Sequence, residues 1–210
     1  MLGLYARKVG MTQVFDDTGN LLPVSVLKVN PNVVLTVKTK ETDGYEAVVV
    51  GIDDTKKNRV TKAKAGQFPE NIPLKKKICE LRDFEKKVTV GDSLGIEVLD
   101  GARYVDVCGI SKGKGFQGVV KRYKFGGGRK THGSKFHREP GSTGQSTYPA
   151  KTFKNVKLPG RMGREKTTVL SLRVVKTDPE KQLIMVRGAV PGINKGLVFV
   201  RFAVKKGRKT

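Results

Sequence analysis

Short apolar runs, partly alternating with polar residues and separated by turn residues, cover most of the chain outside its middle. Alternation with a period of two, bounded by Gly, Pro, Asn or Asp, is typical of β-strands. The predicted strands are residues 2–15, 21–29, 33–39, 45–52, 88–90, 94–99, 104–110, 167–175, 182–186 and 197–204. Regularly spaced short strands predict a mainly β sandwich or barrel.

Two segments depart from this pattern. Residues 53–87 alternate weakly, and we interpret them as a less regular surface lobe of the β domain with at most one helical turn. Residues 112–166 contain fifteen Lys or Arg, two Glu, eleven Gly and only twelve apolar residues. We therefore predict one β domain made of residues 1–111 and 167–210, interrupted by a basic extension at 112–166.

The extension cannot build a core of its own. Burial of so few apolar side chains does not offset the conformational entropy lost when such a long segment is ordered. We expect the extension to remain disordered until an anionic partner orders it. The basic tail, residues 205–210, is expected to lie on the same polyanion.

The charge of the chain indicates that partner. Its 42 basic and 19 acidic residues give a net charge of +23 and a pI near 10.2, which favours a nucleic acid over a membrane surface. The N-terminal residues contain no apolar signal region, and no long uncharged run follows. We therefore expect a cytoplasmic protein that neither spans nor binds a membrane. Cys79 and Cys108 are expected to be reduced and buried.

One motif resembles a dinucleotide-binding loop. Residues 113–118 read GKGFQG, follow a predicted strand and precede a possible helix at 119–123. No second strand ending in an acidic residue follows, so the oxidoreductase interpretation lacks the group that holds a ribose. The favoured interpretation is that these glycines let backbone amides and nearby cations approach phosphates closely.

Histidines and aromatic residues are interleaved with the cations of the extension. His132 and His137 lack neighbouring ligands, so no metal is expected, and contact with bases or phosphate is favoured. Aromatic side chains among cations allow RNA to be both neutralised and stacked upon, although they could also form a small satellite core. The aromatic positions are Phe116, Tyr123, Phe125, Phe136, Tyr148 and Phe153.

The extension also lacks the parts of a catalytic site, because its serines have no acidic residue placed to orient a histidine base. We therefore predict a protein that is not an enzyme and that has no cofactor and no small-molecule substrate. The predicted RNA-binding residues are Lys112, Lys114, Phe116, Lys121, Arg122, Arg129, Lys130, His132, Lys135, His137, Arg138, Gln145, Ser146, Lys151, Lys154, Arg161 and Arg164.

Five stretches together resemble one family, the bacterial-type large-subunit ribosomal protein L3. They are GLYARKVGMTQVF at 3–15, DVCGISKGKGFQGVVKR at 106–122, HGSKFHREPGSTGQ at 132–145, LPGRMG at 158–163 and LIMVRGAVPG at 183–192. Their order and their spread along the whole chain carry the resemblance. One position differs, because Thr147 stands where some bacterial relatives carry a methylated Gln.

The resemblance implies more than composition does. It implies a six-stranded β-barrel of the translation elongation-factor type, with a long, basic, mostly irregular extension that enters the large-subunit (23S-type) ribosomal RNA. The loop tip, residues 145–153, would lie near the peptidyl transferase centre. Family members bind early in subunit assembly, beside ribosomal proteins L14 and L19. The remaining alternatives are a free-standing nucleic-acid-binding protein and the oxidoreductase.

Overall fold

The computed structural model describes residues 2–206 of the chain, so the predicted tail at 205–210 falls largely outside the described residues. In chain order the strands are β1 (Gly3–Phe15), β2 (Leu21–Lys28), β3 (Asn32–Lys38), β4 (Ala47–Asp54), β5 (Lys75–Arg82), β6 (Ser93–Leu94), β7 (Tyr104–Ile110), β8 (Gly115–Gln117), β9 (Gly160–Met162), β10 (Lys166–Asp178), β11 (Leu183–Arg187) and β12 (Leu197–Phe202). Short helices lie at α1 (Lys40–Asp43), α2 (Lys62–Ala65) and α3 (Val119–Tyr123), and 3-10 turns at Lys57–Arg59 and Ile96–Leu99.

Six strands close into an antiparallel barrel in the order β1-β12-β7-β10-β11-β2. Closure removes the sheet edges that would otherwise be free to pair with other chains. The inward positions are aliphatic, and Leu4, Leu27, Val107 and Val200 are fully inaccessible to solvent. The predicted mainly β fold with a six-stranded barrel is thereby confirmed.

A buried carboxylate shapes one side of the barrel. The pairing of β10 with β7 shifts register between Val169 and Leu172, and Ser171 there has a positive φ of 55°. The Asp106 carboxylate accepts hydrogen bonds from the backbone N–H of Ser171 (2.8 Å) and Val204 (3.2 Å). Asp106 thus satisfies one backbone donor in the irregular part of β10 and another just after the end of β12.

The strands predicted at 33–39 and 45–52 are not part of the barrel. β3 and β4 join β5 and β6 in a separate four-stranded sheet of order β5-β4-β3-β6. A small second core beneath this sheet contains Leu35, Phe68 and Ile72. The chain therefore adds a second sheet to the predicted barrel.

Three further strand predictions need correction. Residues 75–82, which we placed in an irregular lobe, form β5 because every residue from Lys77 to Arg82 has a partner in β4. Residues 88–90 form no strand, and residues 96–99 are a buried 3-10 turn. The alternation of apolar residues in 94–99 marks burial correctly, but not the backbone conformation.

The chain divides into two compact units, residues 2–110 with 166–206 and residues 111–165. The ends of the inserted segment are held side by side, since Ile110 of β7 and Lys166 of β10 are register partners in the barrel. None of the helices within residues 2–206 is long and apolar enough to cross a membrane.

Candidate nucleic-acid interface

Residues 111–165, here called the extension, are anchored by a two-stranded ribbon at their base. β8 pairs with β9, with Phe116 opposite Arg161, and the Lys114 N–H donates to the Met162 carbonyl at 2.9 Å. Beyond this ribbon the regular structure is limited to α3, whose Val119 is the one side chain of that helix that is buried. Most of the extension is therefore irregular backbone.

The glycine motif at 113–118 belongs to this ribbon. Its residues form β8 and the N-terminal end of the five-residue helix α3, and the strand paired with β8 is antiparallel. A dinucleotide site requires a parallel βαβ unit, so the geometry argues against the oxidoreductase interpretation.

Other glycines allow the extension to pack against itself. A Cβ atom on Gly128 would collide with the Phe136 carbonyl, and one on Gly163, where φ is +76°, would collide with the Lys112 carbonyl. The Gly128 N–H also donates to the His137 carbonyl at 3.2 Å. The close approach of phosphate was predicted for the glycines at 113–118, whereas at Gly128 and Gly163 the absence of a side chain lets the chain's own backbone approach closely.

The predicted binding residues share a high exposure. All seventeen are exposed except Arg122, which is half-buried. Arg122 donates to the Leu158 carbonyl at 2.8 Å and its guanidinium lies 5.0 Å from the centre of the Tyr123 ring. Arg122 thus links α3 to the segment that leads into β9, and only part of its guanidinium is left for an external partner.

Several cations outside the extension have an acidic partner. Within residues 2–206, ion pairs form between Arg7 and Asp53, Lys38 and Glu80, Lys40 and Glu46, Lys75 and Asp54, and Arg201 and Asp106. With fourteen Lys or Arg and two Glu in residues 111–165, the extension cannot neutralise itself. Its positive charge is available to an external polyanion.

The aromatic residues divide between the two interpretations given above. Phe116, Tyr148 and Phe153 are 76%, 90% and 57% exposed, so their rings are accessible for stacking. Tyr123 and Phe125 are half-buried and contact each other, with ring centres 6.4 Å apart. The first three fit stacking on bases, whereas the last two pack against each other.

The two histidines are exposed and lie apart from any cluster of metal ligands. His137 donates from Nδ1 to the Arg129 carbonyl at 2.9 Å, which leaves Nε2 as an acceptor in the neutral ring. His132 has a positive φ of 57°. Within residues 2–206 no three His, Cys, Asp or Glu side chains are grouped so that they could hold a metal ion.

The segment predicted as the loop tip forms a shallow polar depression. Its walls enclose about 420 Å³ and include Gln145, Ser146 and Lys151. The Ser142 hydroxyl donates to the Gly144 carbonyl at 2.8 Å, and a cis peptide joins Tyr148 to Pro149. The Lys151 ammonium lies 5.6 Å from the centre of the Phe153 ring.

Sequence reasoning omitted further cations. Within the extension these are Lys124 and Lys157, both exposed. In the barrel unit a second group, Lys56, Arg59, Lys64 and Lys76, lines a cavity of about 350 Å³. The basic run KKNRVTKAKA at 56–65 could have indicated this group. Its weak periodicity does not show that the fold brings these side chains together around one cavity.

Comparison with known proteins identifies one family. The family described as "Ribosomal protein L3" matches residues 77–182, which include the whole extension. Large ribosomal subunit protein uL3 of Treponema pallidum (strain Nichols) is 56% identical over 99% of this chain and all of its own length. The chain belongs to the uL3 family. The uL3 proteins of Treponema denticola and Geobacillus kaustophilus are 52% and 46% identical, with the same 99% of this chain covered and 100% and 98% of their own lengths.

Membership of the uL3 family decides several predictions. The resemblance based on five stretches is confirmed, because the similarity to uL3 covers almost the entire chain. Members of the uL3 family are structural proteins of the large ribosomal subunit and not enzymes, so the oxidoreductase alternative is abandoned.

Proposed function

We propose that the chain is a structural component of the large ribosomal subunit that binds 23S-type ribosomal RNA through its extension. The observation that carries this proposal is the extension itself, where exposed cations and exposed aromatic rings alternate on backbone with little regular structure. Cations neutralise phosphates, rings stack on unpaired bases, and irregular backbone can follow a cleft between RNA helices. The ribosomal names of the relatives fit this chemistry.

The proposal includes a division of labour along the chain. The barrel docks on folded RNA, while the extension orders as it binds, its entropy loss being offset by phosphate contacts and counterion release. Early binding would follow from this arrangement, because a segment that fills a cleft must enter before the surrounding RNA closes. Placement of the tip near the peptidyl transferase centre, and neighbours L14 and L19, rest on the family resemblance.

The binding proposal is tested by the salt dependence of the affinity for large-subunit ribosomal RNA. Removing one phosphate contact with Arg129→Ala should lower the slope of log affinity against log salt by about 0.7 to 0.9. Lys40→Ala is the matched control, since Lys40 is also an exposed cation but pairs with Glu46 at 3.5 Å. Its slope should stay at the parent value.

An equal slope for the Arg129 variant and the parent would show that Arg129 makes no ionic contact with RNA. Equal effects of the two substitutions would show that binding responds to net charge alone, and the extension would lose its assigned role.

A further inference from the structure

The end of the barrel formed by β1 and β2 carries an apolar face that the RNA-binding proposal does not use. β1 pairs with β12 only up to Arg7 and continues beside β2 as far as the pair Phe15 and Leu21. Residues 9–27, here called the hairpin, therefore end in a two-stranded ribbon closed by the turn at 16–20. On the other side of β2, the register pairing with β11 ends at Val24.

One face of the hairpin is open to solvent and, apart from Gln13, its exposed side chains are apolar. Register pairs Phe15 with Leu21 and Gln13 with Pro23, so these side chains share one face with Met11, two residues further along β1. Phe15, Met11 and Leu21 are 72%, 52% and 50% exposed, and Pro23 is exposed as well. The opposite face is the one that joins the core, through Leu22 and Val24.

The charge of the hairpin is opposite to that of the rest of the chain. Its 19 residues contain no Lys or Arg, whereas 42 are spread over the whole chain, and its only charged residues are Asp16 and Asp17 in the turn. Two carboxylates beside an apolar face repel phosphate and cannot neutralise it. A contiguous exposed apolar face of this kind marks an interface with another macromolecule.

We propose that the hairpin docks a basic protein, one that presents an apolar pocket bordered by Lys or Arg. The pocket would take Phe15 and Leu21 as anchors, because aromatic and aliphatic side chains at the centre of an interface supply most of its binding energy. The cations would face Asp16 and Asp17, which selects a basic surface over other apolar ones. A second copy of this chain is disfavoured, since in a symmetric contact the two acidic turns would meet and Asp16 and Asp17 would face like charges.

This inference rests on the proposed function, because the partner is sought in the assembled large subunit, but the two can fail separately. The test replaces Phe15 by photoreactive p-benzoylphenylalanine in the full-length chain and irradiates purified large subunits that contain it. The matched control places the same probe at Phe116 of the extension, which is 76% exposed against 72% for Phe15. Both positions are on the surface, so neither substitution opens a cavity in the core.

We expect the probe at position 15 to form an adduct that resists ribonuclease and is lost with protease, with its partner peptide rich in Lys or Arg. The probe at position 116 should form an adduct that ribonuclease removes. An RNA adduct, a dimer of this chain or no adduct at position 15 would overturn the docking inference. Failure of RNA cross-linking at position 116 alone would count against the proposed function and leave the docking inference standing.

The acidic turn supplies a second readout. Asp16→Asn with Asp17→Asn keeps a side-chain acceptor at each position but removes both charges, so adduct formation at position 15 after a salt wash should fall by about two- to tenfold. Asp100→Asn is the control, because Asp100 is an exposed turn residue whose carboxylate, like that of Asp16, accepts the N–H of the next residue. Equal losses in both variants would overturn the role given to the turn.

Discussion

At the scale of single residues, Asp53 shows how one carboxylate joins distant parts of the chain. It accepts hydrogen bonds from Arg7 Nε (3.0 Å) and Asn30 Nδ2 (2.7 Å), and forms an ion pair with Arg7. Burial alone would raise the pKa of Asp53, but these hydrogen bonds and the charges of Arg7 and Lys76 together hold that pKa below its ordinary value. The ionised carboxylate therefore stabilises the connection between β4 and β1.

The substitution Asp53→Asn should lower the free energy of unfolding at pH 7 by about 2 kcal/mol. Asn keeps one acceptor for Arg7 Nε and Asn30, but the negative charge is lost, and the second carboxylate oxygen, which pairs with Arg7, becomes an NH2 donor. Asn tolerates the positive φ of 58° at this position, so the backbone is preserved. Denaturant unfolding measures the change. Glu46→Gln is the control, since Glu46 is exposed and pairs with an exposed Lys40, and it should change stability little.

The effect of Asp53→Asn should also depend on pH. Because the pKa of Asp53 is lower in the folded state, its contribution is fully present above the pKa of the unfolded chain, about 3.9, and is lost as the pH falls through the folded value. The difference in stability between the parent and the variant should thus shrink as the pH falls below about 3.9 and through the lower pKa of the folded state. A difference that stays constant throughout the acid range would mean that the charge of Asp53 is not what stabilises the fold.

At the scale of elements, the sequence predicted those strands whose apolar alternation is strong. β1, β2, β7, β10, β11 and β12 were located within a few residues, since each presents an aliphatic face to the barrel core. β5 was missed because its sequence, KKKICELR, has three Lys at its start and alternates poorly. Residues 75–82 form a strand because they pair with β4 along their length. The periodicity of a short segment does not indicate such non-local pairing.

The extension illustrates the same limit at its binding residues. The charge count predicted exposed cations, and all of the predicted cations but Arg122 are exposed. Their exposure follows from the lack of apolar neighbours. Charge counting could not show that the Arg122 guanidinium donates to the Leu158 carbonyl, or that Gly128 packs against the Phe136 carbonyl. These contacts join residues that are 36 and 8 positions apart, and no sequence motif indicates them.

Limited trypsin treatment of the RNA-free protein should cleave first between Lys112 and Lys166. The cations there are exposed on irregular backbone, which fits the protease cleft at little cost. The two resulting fragments should still elute together from a sizing column, because β7 pairs with β10 and β12 across the cut. Large-subunit ribosomal RNA should protect the sites.

First cleavage in the barrel or in the basic run at 56–65 would contradict this prediction. Resistance throughout residues 112–166 would show that the extension is ordered without RNA.

At the scale of the whole molecule, charge is unevenly divided among regions. Of the net charge of +23, +13 lies in residues 112–166, while the hairpin at 9–27 carries no cation at all. The proposed binding of phosphate relies on the first region, and the proposed docking of a protein relies on the second. Within the extension the base and the tip also differ, because Lys121 and Arg122 are cations whereas residues 144–148 hold none.

The base and the tip of the extension should therefore fail in different ways. The tip, residues 144–148, contains no His, Cys, Asp, Glu, Lys or Arg, so the role proposed for it is to position RNA and not to transfer protons. Ser146→Arg adds bulk to the shallow depression lined by Gln145 and Lys151. It should leave subunit assembly nearly normal while changing sensitivity to drugs that bind the peptidyl transferase centre.

Replacing Lys121 and Arg122 together by Ala should impair assembly itself. Lys121 offers an exposed charge to phosphate, and Arg122 holds α3 to the segment before β9, so the pair both attracts RNA and keeps the base of the extension in shape. Subunit profiles and drug sensitivity of the two variants in cells measure the contrast. If Ser146→Arg blocked assembly as severely as the double variant, or left the potency of every such drug unchanged, the placement of the tip near the catalytic centre of the ribosome would be wrong.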